Sequence, residues 1–275
     1  MNLPTKRQLE LPFSARNFAL TVVLTLVVYF AAFGLVAPSL WKSTIAIPLW
    51  KLGIVFGFAH LVASKVEYFF HRYVFHACVV PLLRYFHNQH VEHHMLTNVK
   101  LISIRGQTGK VFNRFPIVEK RQYEAAYFPW YSLGAFFVVS LLVTIPLQSL
   151  LPTWPILIGV PLSITLSLIL YESIHWMEHL PFETFWHPKV TGKRFGRFWT
   201  AFYCFHFRHH ADVGINLAVG GFFGLPIWDW LFGTYAPWWR VWSHGETVYT
   251  SDFEAGLRRP GLIIRLLDKF LIRSM

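Results

Sequence analysis

Charged residues drop out of this chain in long blocks rather than alternating with apolar ones. Residues 17–41 carry no charge, and 18–37 are almost wholly apolar. Twenty helical residues at ~1.5 Å rise cover the ~30 Å hydrocarbon core of a bilayer, so this block predicts a membrane-crossing helix. A cleaved signal peptide would show a shorter apolar core followed by a small-residue cleavage site. Residues 43–64 predict a second span, interrupted by Lys51 and His60. A lysine at mid-membrane costs ~2.5–3.5 kcal/mol, and less where the side chain snorkels to the interface. The clearest signal lies between Glu124 and Glu172, where 47 consecutive residues are uncharged. That is room for two spans, at about 127–150 and 155–175, with Leu151-Pro152-Thr153-Trp154-Pro155 supplying the turn. Pro146 and Pro161 are expected to kink these two helices. Near the C-terminus, residues 262–271 set apolar pairs at one-turn spacing against a charged face. This predicts an amphipathic helix, lying on a membrane surface or packed on its own domain.

The central hairpin forces residues 65–124 and 172–275 onto one side of the membrane. With the second span, 23 of the 25 Lys and Arg fall on that side, which the positive-inside rule makes cytoplasmic. The sidedness fits a bacterial inner membrane or the endoplasmic reticulum. The formal charge of +11 is then mostly topology and headgroup contact, and nucleic acid is not an expected partner. Composition agrees: 54% of residues are hydrophobic and 14% charged, where a soluble domain carries charge on about a quarter of its residues. No Ser- or Gly-rich linker divides the chain, so residues 1–275 read as a single domain. Cys78 and Cys204 stand far apart and outside any CxxC motif, as two free thiols would.

Ten of the fourteen histidines fall in four short clusters. These are His71-Arg72-Tyr73-Val74-Phe75-His76, His90-Val91-Glu92-His93-His94, His175-Trp176-Met177-Glu178-His179 and His206-Phe207-Arg208-His209-His210. All lie in the two segments that the hairpin brings to one side. On a helix, His175 and His179 project from one face. In HxxHH the last two positions straddle the face of the first, so one helix can serve two neighbouring metals. His71 and His76 are ~140° apart on a regular helix, which suits different metals or a helix end that unwinds. Ten imidazoles are about twice what one ion can use, so the count favours two metals. Imidazole binds iron, copper, zinc and nickel, and iron is the choice that does oxygen chemistry.

These motifs resemble the fatty acid hydroxylase/sterol desaturase superfamily of membrane di-iron oxidoreductases. Glu67-Tyr68-Phe69-Phe70-His71-Arg72-Tyr73-Val74-Phe75-His76 looks like the first box of the fatty acid 2-hydroxylase branch. His206-Phe207-Arg208-His209-His210, Gly214 and Trp228-Asp229-Trp230-Leu231-Phe232-Gly233-Thr234 are similar to its closing stretch. The likeness runs over about 67–235, with the hairpin matching in hydropathy alone. It implies an all-α integral membrane four-helix bundle with a cytoplasmic, histidine-rich di-metal cap, formed by residues 65–124 and 175–275. It also implies that His71, His76, His90, His93, His94, His175, His179, His206, His209 and His210 bind two iron ions, which zinc can displace in a purified protein. The implied activity is O₂-dependent hydroxylation of a lipid or fatty acyl chain. Two features depart from the family: 27 positions separate His179 from His206, with Phe185-Trp186-His187-Pro188 in the insert, and no HPGG-bearing cytochrome b5-like domain precedes the spans. Electrons are therefore expected from a separate cytochrome b5 or ferredoxin with its reductase. The alternatives are a sterol or carotenoid hydroxylase or desaturase on the same scaffold, or a non-catalytic metal-binding or transport protein.

His87 shares a helical face with His90 and His94 and is a further ligand candidate, whereas His60, His187 and His244 read as structural. Metal-bound imidazoles usually donate their second N–H to a carboxylate or carbonyl. Glu67, Glu92, Glu172, Glu178 and Asp212 all lie within four positions of a clustered histidine, and Glu172, on the face of His175, is the first choice for that role. The glycine-rich, uncharged run 213–228 suits a re-entrant or substrate-lining segment, or a close-packed loop. Gly106-Gln107-Thr108-Gly109-Lys110 lacks the spacing of a phosphate loop.

Overall fold

The computed structural model describes residues 14–272; Lys6, Arg7 and Arg273, part of the charge asymmetry, lie outside them. Four helices are long and apolar enough to cross a membrane: Ala15–Val36, Leu49–His76, Ser132–Leu150 and Ile156–Glu178. The chain groups into two compact units, one of Phe13–Val66 with Phe128–Glu172, the other dominated by Glu67–Tyr127 and Ser173 onward.

In the first of these units, Ser14 caps α1 (Ala15–Val36) by accepting from the Asn17 amide at 3.1 Å. The helix leaves Val28 67% and Leu35 82% exposed, an apolar surface suited to lipid rather than water. Pro38 opens a short α2 (Pro38–Ile45), and α3 (Leu49–Phe70) begins only after Pro48. The second span thus starts six residues later than residue 43. Lys51 consequently sits in the first turn of α3 and not at mid-span. Its Nζ donates to Thr153 O at 3.1 Å and lies 5.3 Å from the Trp154 ring centroid, as a snorkelling lysine does. The third span, α6 (Ser132–Leu150), also starts late, because Pro129 closes a turn by accepting from the Ser132 amide. Gln148 staples the hairpin, donating to Trp154 O and accepting from the Leu157 amide of α7 (Ile156–Glu178). Tyr29 donates to Leu157 O at 3.0 Å, and Val22, Leu133, Phe137 and Leu168 form the buried core.

The other unit carries a π-helical turn (His71–His76) continuing α3, then α4 (Arg84–Leu96), α5 (Lys120–Ala126), α8 (His187–Val190), α9 (Gly196–His209), α10 (Ile227–Phe232), α11 (Thr250–Glu254) and α12 (Leu262–Leu271). A three-stranded antiparallel sheet departs from the all-α expectation. β1 (Val99–Arg105) and β2 (Thr108–Asn113) form a hairpin around Gly106, whose φ of +61° is open to glycine, and β3 (Thr247–Tyr249) pairs with β2. The strands are only seven, six and three residues long, so no long hydrophobic block marks them. Their buried residues Val99, Val111 and Val248 face a core of Phe115, Trp186, Tyr203, Phe207, Trp238 and Trp242. Trp186 of the 180–205 insert is fully buried there, so the insert is a wall of this core.

In the spanning unit, a Cβ on Gly159 would meet Val55 Cγ1 at 2.6 Å. Overpacking of this kind costs ~1–3 kcal/mol. Gly159→Val is expected to lower the melting temperature and the monodisperse yield of detergent-extracted protein, whereas Gly53→Ala, with open space around it, should leave both unchanged. Equal behaviour of the two variants in thermal unfolding would contradict the α3–α7 packing.

Candidate metal centre

The ten clustered histidines converge in the second unit and sort into two groups of five. One holds His71, His76, His90, His94 and His209; the other holds His93, His175, His179, His206 and His210. Within each group the candidate ligand atoms all lie within 4.8 Å of one another. The HxxHH helices behave as their spacing predicts. α4 gives His90 and His94 to the first group and His93 to the second, while α9 and the residue after it give His209 to the first and His206 and His210 to the second.

His71 and His76 belong to one group, not to different metals. The reason is the π-helical turn, which takes more residues per revolution than an α-helix and so returns position i+5 to the face of position i. The two rings lie 5.0 Å apart and are nearly parallel.

Backbone acceptors fix the imidazoles. His71 donates from Nδ1 to Leu217 O at 2.6 Å, His209 to Ile215 O at 2.8 Å and His179 to Phe115 O at 2.7 Å. Thr97 spends its hydroxyl hydrogen on His93 O at 2.6 Å, so His210 Nδ1 donates to the Thr97 oxygen at 3.0 Å. Each of these four rings therefore presents a bare Nε2 lone pair to its group.

Hydrogen bonding cannot satisfy the atoms that meet there. His90 Nε2 has His71, His76 and His94 Nε2 atoms at 3.1, 3.2 and 3.1 Å. One nitrogen carries one hydrogen or one lone pair, so at most one of these contacts is a hydrogen bond. His206 Nε2 faces the lone pairs of His179 and His210 at 3.2 and 3.1 Å. A cation resolves the conflict: donors ~2.1 Å from a common ion and at right angles lie ~3.0 Å apart. The donor set fits a borderline metal, all nitrogen with no thiolate.

Burial reinforces this. His90, His93, His94, His206 and His210 are held well below the ordinary histidine value, first by burial and then by their neighbouring imidazoles. Burial also brings His179 down to about 3 and His209 to about 4, opposed by the hydrogen bonds to Phe115 and Ile215. The ligands are therefore neutral at physiological pH, the state a metal requires. All five side chains of the second group are buried, whereas His76 and His94 of the first are partly exposed.

Among the described residues, Glu172, Glu92 and Asp212 bond to groups other than the ten clustered histidines. Glu172 accepts from the Phe128 amide at 2.9 Å, Glu92 pairs with Arg121, and Asp212 accepts from the Gly214 amide. Glu178 is buried with no partner for Oε2 among the described residues. The acids that matter act one step further out. Asp229 accepts from the Leu217 and Ala218 amides at 2.9 and 2.8 Å, and Glu67 accepts from Gly220 at 2.7 Å and Gly221 at 3.1 Å. They hold the 213–228 run as a close-packed loop, with left-handed Asn216 (φ +54°) between the two acceptor residues Ile215 and Leu217. Sequence reasoning named Glu67 but missed Asp229, although Asp229 is the charge that ends an otherwise uncharged run.

His87 lies outside both groups, donating to Phe75 O at 2.7 Å and tying α4 to the π-helical turn. His60 pairs with Ser167 Oγ, His187 packs edge-on against Phe182, and His244 is exposed beside Asn113. Both cysteines are free. No family model, curated protein or solved structure matches the chain.

Single substitutions should resolve the two groups. His94→Ala and His179→Ala are each expected to lower bound metal by about half, and His87→Ala to leave it nearly intact, since loss of a ligand costs more than the ~10–100-fold typical of an outer partner. Elemental analysis of purified protein checks this, and an empty site in His87→Ala would reassign the ligands of α4. The pH dependence has a defined sign. Folded His179 and His209 titrate at about 3 and 4 against an ordinary 6.5, so between those limits the unfolded chain binds more protons. Metal-free protein should hold its full stability above about pH 6.5 and lose it progressively toward about pH 4. A melting temperature that stays flat over that window would rule out buried neutral imidazoles.

Proposed function

We propose that the chain is a membrane oxidoreductase that hydroxylates a lipid or fatty acyl chain with O₂ at two histidine-bound iron ions. The observation that carries this reading is the pair of five-imidazole groups, each bringing together more inward nitrogens than hydrogen bonds can pair. A zinc site built for structure closes with four ligands, often thiolates, and ten nitrogens exceed that need. Two redox-active ions would supply the activation of O₂ and the attack on an unactivated C–H bond.

The chain's own part is to hold, orient and shield. Leu217, Ile215 and Phe115 carbonyls and the Thr97 hydroxyl fix four rings with Nε2 inward, which sets ligand direction before any ion binds. The wholly buried second group excludes water on its side. The partial exposure of His76 and His94 favours an approach for substrate and O₂ beside the first group. The long apolar helices suit a substrate that partitions into the bilayer. The segments bearing the histidines are assigned to the cytoplasmic side by the distribution of Lys and Arg, which gives a soluble or membrane-bound carrier, cytochrome b5 or ferredoxin with its reductase, access to them.

The deciding experiment compares lipid extracts, by mass spectrometry, from cells expressing the wild-type protein and the His94→Ala and His179→Ala variants. The wild type alone should add hydroxylated lipid, with ¹⁸O incorporated from labelled O₂. A desaturase would give a product lacking two hydrogens and carrying no label, and a transport protein would change metal content with no new lipid.

A further inference from the structure

The C-terminal helix α12 presents its apolar side outward. Leu262, Ile263, Leu266 and Phe270 are 62, 59, 57 and 80% exposed, and Leu262, Leu266 and Phe270 stand one turn apart on a single stripe. The opposite side is attached to the protein: Ile264 is fully buried, and Asp268 accepts from Arg72 Nε at 2.9 Å and from the Tyr73 hydroxyl at 3.0 Å. The neighbouring α10 is built alike, with Asp229 and Phe232 buried behind Trp230 (50% exposed) and Leu231 (68% exposed). The two helices form one piece, since the Gly261 amide donates to Phe232 O at 2.7 Å and Ile264 packs in a cluster with Tyr68, Leu217, Ala218 and Phe232.

We propose that α10 and α12 form a foot seated in the headgroup region of the lipid bilayer, with Leu231, Leu262, Leu266 and Phe270 inserted among the upper acyl chains. Three observations select lipid over a second protein. The exposed arc of α12 is flanked by exposed Arg265 and Lys269, and Arg258 and Arg259 precede the helix. Cations bordering an apolar stripe match anionic headgroups. The helix's one acid, Asp268, is turned inward onto Arg72, so nothing on the arc repels a phosphate. Trp230, half exposed and next to Leu231 in α10, adds an indole, a side chain that favours the depth of the headgroups. A chain with four helices able to cross a membrane also keeps a bilayer always at hand.

The inner side of the foot reaches the metal centre. Arg72 and Tyr73, both held by Asp268, lie in the π-helical turn between His71 and His76, and Asp229 of α10 holds the loop whose Leu217 carbonyl accepts from His71. Seating the foot thereby bears on the first histidine group, and the seating itself does not depend on what reaction occurs there.

The test uses the full chain in nanodiscs of phosphatidylcholine with a minority of phosphatidylglycerol. On a Cys78→Ser background, with Cys204 fully buried, single variants Leu231→Cys, Leu266→Cys, Phe270→Cys and, as a water-facing control, Lys193→Cys carry a bimane fluorophore. A doxyl group high on the lipid acyl chain should quench the three foot positions several-fold more than position 193, and aqueous iodide should quench them several-fold less. The two α12 positions are read independently, so one misfolded variant leaves the test standing. Iodide access at α12 equal to that at position 193 overturns the proposal. Protection from both quenchers also overturns it, because it would place a second copy or another protein on this face.

Discussion

The arrangement rests on an electrostatic conflict that protein atoms cannot relieve. Imidazole nitrogens meet at 3.1–3.2 Å inside a buried layer, and four of the rings have already committed their only hydrogen to an outward acceptor. Such a cluster is unfavourable by itself, since its lone pairs point at one another where no solvent can intervene. The surrounding fold must impose it, and a metal ion in each group could make it favourable.

Much of the second unit is that imposition. The π-helical turn brings His71 and His76 to one face, and the Asp229–Leu217 link and left-handed Asn216 position the carbonyls that orient His71 and His209. The aromatic core holds Phe115, whose carbonyl accepts from His179 and whose ring lies 4.3 Å from that imidazole. The sheet closes one side of the core, with the Val99 amide donating to His210 O. Secondary structure that carries no ligand is thus still part of the ligand geometry.

How much of this the sequence disclosed follows from how local each signal is. Four apolar blocks and four histidine clusters are legible because hydropathy and i, i+3, i+4 spacing are properties of contiguous residues. The division of each HxxHH between two groups was readable as a capacity, but which nitrogens from separate helices meet is set by long-range packing. The start of the second span was obscured because residues 43–50 carry no charge to mark a boundary, while Pro48 sets it through its backbone. The pairing of His71 with His76 hinges on a π-turn, which has no composition of its own. Carbonyl acceptors are illegible in principle, since every residue has one. Glu67, four positions before His71, is legible as a supporting acid, whereas Asp229 lies 19 positions beyond His210 and reaches the site only through the folded loop.

The interleaving of the two groups has a thermodynamic consequence. Helices α4 and α9 are shared, so neither group can be ordered without fixing most of the backbone that carries the other. An ion held in either group would restrict backbone that the other group also uses, and linkage would make that effect mutual. Any coupling between the two groups would thus arise from shared backbone, with no movement of one element against another.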